Sequence, residues 1–201
     1  MITENLKLAI HDVTSGWPII VVDDFNRENE GDIVISGEFA NSKNLAFTAL
    51  NARGIMCIPT TNEILTRLEI PMMVQSSTDP LETPFTVSVD AKHGTTTGVS
   101  VSDRLKTIQV FLNEKSVPGD LIRPGHMFPL RARNGLLSER QGHTEASVTL
   151  MKLIGLKPVA VISEIMNEDG SMARMLDLEL FASKHHLRIV SIEEIKEAAG
   201  L

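Results

Sequence analysis

The sequence predicts an α+β fold: one domain spanning residues 1–201, a single mixed sheet with surrounding helices. Three observations lead there. Strand-like apolar runs and helix-periodic stretches interleave irregularly, separated by long loops. No internal repeat, low-complexity tract or linker divides the chain. A content of 42% hydrophobic against 22% charged residues is ample to bury a core over 201 residues.

The elements follow in chain order. The opening "MITENLKLAIHD" lacks a basic flank followed by an apolar core, so it does not read as a secretory signal, and no element is assigned to it. "PIIVVDD" and "GDIVISG" are predicted strands bracketing a charged segment. "NSKNLAFTALNARG" is a helix that Asn41 or Ser42 can cap and Gly54 can end. "IMCIP" is a short strand, "TNEILTRLEI" a short amphipathic helix, and residues 71–84 a long irregular connection. "FTVSVDA" alternates as a strand does and leads into "KHGTTTGVSVS", rich in glycine and hydroxyls. "SDRLKTIQVFLNE" begins on a capping serine and carries helical periodicity; "HMFPLRA" is extended because Pro129 resists a helix interior. "HTEASVTLMKLIGL" is a helix with Thr144 as its N-cap, and "KPVAVISEIM" a strand. "DLELFASKHHL", "RIVSI" and "EEIKEAAGL" close the chain as helix, strand, helix.

Charge and composition exclude whole classes of function. A net charge of −7, scattered Lys and Arg, no Tyr and one Trp leave neither a basic groove nor a stacking platform for nucleic acid. No apolar run approaches the roughly 20 residues that span a bilayer. The lone cysteine, Cys57, permits no internal disulfide, excludes a multi-cysteine zinc site and fits a reducing cytoplasm. Without flanking charge to lower its pKa, that thiol is expected to be packed rather than nucleophilic.

Chemistry concentrates in three places. In "RENEGD", extended backbone would put Glu28, Glu30 and Asp32 on one face, with Arg27 just ahead and Gly31 allowing close backbone approach. Like charges so arranged repel unless something positive lies among them, such as Mg2+ or Mn2+ with oxygen ligands. A solvated turn at a strand end accounts for the same residues. The second place is residues 123–146, where two Gly-His pairs occur and "RQGHT" runs into a helix. Helix-start N–H groups with Arg140 and the Thr144 hydroxyl make a phosphate cradle, or else an ordinary cap with a nearby arginine. The third is Glu164 in "VAVISEIM": held in a pocket it suits general acid/base work, and at an exposed strand end it does nothing special.

Five motifs, "DDFNRENEGDIVISGE", "FTVSVDAKHGTTTGVSVSDR", "RPGHMFPLRA", "RQGHTEASVTL" and "VISEIMNEDGSMAR", together resemble the 3,4-dihydroxy-2-butanone 4-phosphate synthases of riboflavin biosynthesis, in order over about residues 5–195. The resemblance implies that family's α+β fold and the conversion of D-ribulose 5-phosphate to L-3,4-dihydroxy-2-butanone 4-phosphate and formate. It implies Mg2+ or Mn2+, two ions per active site, and a homodimer with active sites near its interface. Glu28 and His143 match the metal ligands. Arg27, Glu28, Asp32, Cys57, Glu164 and the run Arg140, Gln141, Gly142, His143, Thr144 match the substrate-binding set. His126, Glu164, Asp32 and Glu30 match residues needed for turnover, and Asp23 lines the acidic loop. Leu136 stands where the family has the second of two glycines. A fused GTP cyclohydrolase II domain, common among relatives, is not expected, since its cysteine cluster is lacking. Residues 76–97 are expected to act as a lid that excludes water. Two other functions fit the same chemistry: a metal-dependent sugar-phosphate isomerase or aldolase, and a non-catalytic sugar-phosphate or nucleotide sensor. Formate release discriminates against the first of these, and the intact set of Arg27, Glu28, Asp32, His126, His143 and Glu164 speaks against the second.

Overall fold

The structure is a computed structural model and describes residues 2–201. Its strands are β1 (Ile19–Val22), β2 (Gly31–Ser36), β3 (Cys57–Thr60), β4 (Val89–Ala91), β5 (Leu121–Arg131), β6 (Ala160–Glu164) and β7 (Ile189–Ser191). They form one seven-stranded mixed sheet in the order β4-β5-β3-β6-β2-β1-β7. The helices are α1 (Glu4–Thr14), α2 (Ser42–Asn51), α3 (Asn62–Arg67), α4 (Val101–Leu112), α5 (His143–Leu153), α6 (Met175–His185) and α7 (Ile192–Ala199).

Alternation along β1 sorts the core into two layers. Ile20 and Val22 join residues of α2, α4 and α6 on one face, among them Leu45, Ile108, Phe111 and Leu178. Ile19 and Val21 join α1, α5 and α7 on the other, with Leu6, Ala9, Leu150 and Ile195. Strands buried on both faces read as unbroken apolar runs, which is why "IIVV" and "IVIS" carry no polar alternation.

Several local expectations change. Helix α1 went unassigned although Leu6, Ala9 and Val13 face the core at helical spacing; Leu8, 40% exposed, blurs that stripe. Thr3 caps it by accepting from the Leu6 N–H. Helix α4 starts two residues earlier than read, on Ser100 rather than Ser102. The N-cap of α5 is Gly142, and Thr144 lies inside the first turn. Only the end of "FTVSVDA" is strand; Phe85 and Thr86 make isolated bridges to Leu130 and Met72. Arg53, at φ 72°, takes the left-handed position after α2 that Gly54 was expected to fill. Gly54 is needed for a different reason, taken up below. Gly31 is needed for packing: a Cβ there would lie 2.7 Å from Leu178 Cδ1. Leu136, at φ 51°, keeps the left-handed backbone that a glycine adopts without strain.

Candidate active site

The loop between β1 and β2 is organised by one carboxylate. Asp23 Oδ1 accepts the Glu30 N–H (2.9 Å), and Oδ2 accepts the Glu28 N–H and Arg27 Nη1, each at 2.9 Å. Asn29 turns the chain at φ 55°. From the start of α6, Arg174 donates to the Glu28 and Asn29 carbonyls, so the loop is clamped from both sides. Backbone held this way presents Glu28 and Glu30 inward although the segment is not the extended strand that the alternation suggested.

The strand pairing supplies the next pair. Asp32 on β2 is directly opposite Glu164 on β6. Like charges at that position destabilise a sheet, so the arrangement needs a compensating purpose. Asp32 is 3% exposed. Burial, with Glu164, Glu28 and Glu30, pushes its carboxyl up to about 7, against the pull of His143. Glu164 closes its strand with Oε2 accepting the Ile55 N–H at 2.8 Å. Gly54 lies against this carboxylate, and a Cβ there would come within 2.5 Å of Oε2.

Helix α5 brings the imidazole. His143 is buried, with Nδ1 3.4 Å from Glu28 Oε2. Burial opposes charge on the ring, yet Asp32, Glu28 and Asp23 outweigh it and raise the pKa to about 9. Burial likewise works against ionised Glu28, but His143 and Arg27 hold it down at about 2. Glu30 is raised by burial and by Glu28.

These groups line one cavity of about 80 Å3: Arg27, Glu28, Glu30, Asp32, Cys57, Arg140, His143, Thr144 and Glu164, with Thr83, Phe85, Leu130 and Ile162. Gly142 lies beneath the Arg140 and Arg27 guanidinium groups, where a Cβ would stand 2.1 Å from one and 3.1 Å from the other. Gln141 is exposed and outside the lining set. The Cys57 thiol is buried and its pKa raised by burial, Glu164 and Asp32, so it remains protonated. His126 is not brought to this cavity. It lies on β5 with a half-exposed side chain, its Nδ1 2.7 Å from Asp90 Oδ2.

The donor set fits a divalent cation. Glu28 and His143 offer ligand atoms 3.4 Å apart, close enough to share one ion, and His143 Nε2 is buried without a partner. Asp23 lies within 4.8 Å of both, but its oxygens already accept three N–H groups. A cation between Glu28 and His143 would need the imidazole neutral, so its binding would displace the proton of the ring. Arg174, which clamps the acidic loop, and Glu145, whose carboxylate accepts from Arg140 Nη1, were missed as site-shaping residues. Each acts through a partner or a backbone group, and residue type alone carries no trace of that.

Fold and site together define a layered α+β protein with a carboxylate–imidazole pocket flanked by two arginines. Residues 7–198 match the model of the family described as 3,4-dihydroxy-2-butanone 4-phosphate synthase, and the chain belongs to that family. It is 44% identical over 192 residues to the 3,4-dihydroxy-2-butanone 4-phosphate synthase of Desulforamulus reducens, covering 96% of this chain and 88% of that one. It is 48% identical over 194 residues to the riboflavin biosynthesis protein RibBA of Synechocystis sp., covering 96% of this chain and 35% of that one. The chain thus spans about a third of that longer relative. A crystal structure of 3,4-dihydroxy-2-butanone 4-phosphate synthase in complex with two magnesium ions superposes with a TM-score of 0.90 at 38% identity, covering 97% of this chain and 96% of that one. Among the described residues, no helix is long and apolar enough to cross a membrane.

Proposed function

We propose that the chain is a lyase that converts D-ribulose 5-phosphate to L-3,4-dihydroxy-2-butanone 4-phosphate and formate. The observation that carries this reading is the convergence of Glu28, Glu30, Asp32, His143 and Glu164 on one pocket between Arg27 and Arg140. Family membership points to the same reaction.

Substrate phosphate is held by Arg140, the Thr144 hydroxyl and N–H groups at the start of α5, so binding energy remote from the reacting carbons orients them. Asp32, with a pKa near 7, is matched to taking the proton at C3 and returning one later. Glu164, directly across the strand pair from Asp32, serves the proton transfers that accompany loss of the C1 hydroxyl and departure of C4 as formate. Glu30 adds a further carboxyl to the same pocket. Mg2+ or Mn2+, two ions per site with Glu28 and His143 as the protein's ligands, would supply Lewis acidity toward adjacent substrate oxygens. The buried Cys57 packs beneath the substrate and takes no covalent part.

We read the working unit as a homodimer. His126, exposed at the β4–β5 edge and outside its own chain's pocket, would then reach the pocket of the second copy. A single buried cysteine is in keeping with a cytoplasmic setting. The test is incubation with ribulose 5-phosphate, with and without EDTA, and assay of formate. Formate should form only without chelator, and its absence in both arms removes the proposal.

A further inference from the structure

Glu145 has no solvent exposure, and both of its carboxylate oxygens are engaged. Oε1 accepts the Arg133 N–H at 3.1 Å, and Oε2 accepts Arg140 Nη1 at 2.7 Å. The other side of the same guanidinium faces a different segment: Nε and Nη2 donate to the Leu81 carbonyl at 3.3 and 3.0 Å. Arg140 therefore joins α5 to the 79–83 turn, which lies 59 residues away in sequence. Three of its five N–H donors are committed to protein, and two are left for a ligand.

The turn is built to offer that carbonyl. The Asp79 carboxylate accepts the Leu81 and Thr83 N–H groups at 3.0 and 2.8 Å, which folds the segment on itself. Thr83 and Phe85, directly after it, line the active-site cavity. At about 80 Å3 that cavity is well below the roughly 300 Å3 at which ligand pockets usually begin, and movement of this wall would make room for a five-carbon phosphate. The two ends of the Arg140 bridge are unequal. The bond to Glu145 is charge-assisted and buried, whereas the bonds to Leu81 go to a neutral, solvent-accessible acceptor. Opening therefore parts Leu81 from Arg140 and leaves Arg140 on Glu145.

We propose that Glu145 is a positioning residue that fixes the Arg140 guanidinium and, through it, straps the 79–85 segment over the pocket, so that one side chain couples anion binding to closure. This rests on the reading of Arg140 as the phosphate anchor. An anion on the two remaining donors leaves the strap intact and holds Arg140 still, so phosphate tightens the segment.

Glu145→Gln is the informative variant, because it keeps the volume and an acceptor for the Arg133 N–H but loses the charge facing Arg140. Its KM for ribulose 5-phosphate should rise about tenfold or more, with kcat within about threefold of wild type. Amide hydrogen exchange over residues 79–83 should be faster in the free variant. Inorganic phosphate should slow that exchange in the wild type and not in the variant. Arg140→Lys, which keeps charge but loses the fork, should loosen the same amides. Wild-type KM together with wild-type exchange in Glu145→Gln overturns the proposal, as does a lowered melting temperature with KM, kcat and exchange all unchanged. If the wild type makes no formate, the catalytic reading falls and the exchange measurements alone still decide the strap.

Discussion

Gly54→Ala tests whether bare backbone holds Glu164 in place. Gly54 donates its N–H to the Glu164 carbonyl at 3.1 Å, and the next residue donates to the Glu164 carboxylate at 2.8 Å. A Cβ at position 54 would lie 2.4 Å from that carbonyl oxygen and 2.5 Å from Oε2. Ordinary contact begins near 3.4 Å, so the shortfall is 3.4 − 2.4 = 1.0 Å. The carboxylate can rotate away but the carbonyl belongs to the strand, so β6 itself must shift by about that amount. Overpacking of this kind costs about 1–3 kcal/mol. At about 2–4 °C per kcal/mol for a chain of this size, the melting temperature should fall by about 2–12 °C. Misplacing the Glu164 carboxylate by about 1 Å should lower kcat about 100-fold. Gly119→Ala is the control, since nothing lies within 4 Å of its added Cβ. Formate release and thermal melting are the assays. A Gly54→Ala protein with wild-type kcat and melting temperature would refute the idea that this contact fixes Glu164.

Two further outcomes are expected. His126→Ala and Glu164→Gln should each be inactive alone, yet mixing them after subunit exchange should restore about a quarter of wild-type activity, because about half the dimers are mixed and each has one intact site. No recovery despite demonstrated exchange would place His126 outside the partner's site. The second concerns acid stability. The Thr96 hydroxyl, with the Thr96 and Gly98 N–H groups and against the effect of burial, holds buried Asp103 at about 2. That lies below the roughly 3.9 of an unfolded aspartate, so its contribution is fully present above about pH 4 and fades as pH falls toward 2. The stability gap between wild type and Asp103→Asn, measured by denaturant unfolding, should therefore shrink from about pH 5 to about pH 2. A gap independent of pH would contradict the assignment.

From β1 onward the order of helices and strands was readable because apolar spacing is a local property: "IIVV", "GDIVIS" and "AVISE" read as buried strands from their own residues. The motifs that carry the chemistry were equally visible, since residue type at fixed spacing is written in the chain. Helix ends were less so. Gly142 caps α5 in place of Thr144, and Ser100 caps α4 in place of Ser102, because backbone entering from an earlier segment sets where the first turn closes.

Only the folded chain decided which charges meet. Burial pushes the Asp32 carboxyl up to about 7, and the β2–β6 register adds to this by putting Glu164 across from it. Arg174 clamps the acidic loop from 146 residues away, and Glu164 leans on a glycine 110 residues before it. The sequence determined the parts and their families of conformation through short-range sterics and hydrophobic periodicity. Their charge states and contacts came from packing, because Coulomb interactions and desolvation depend on distance in space and not along the chain.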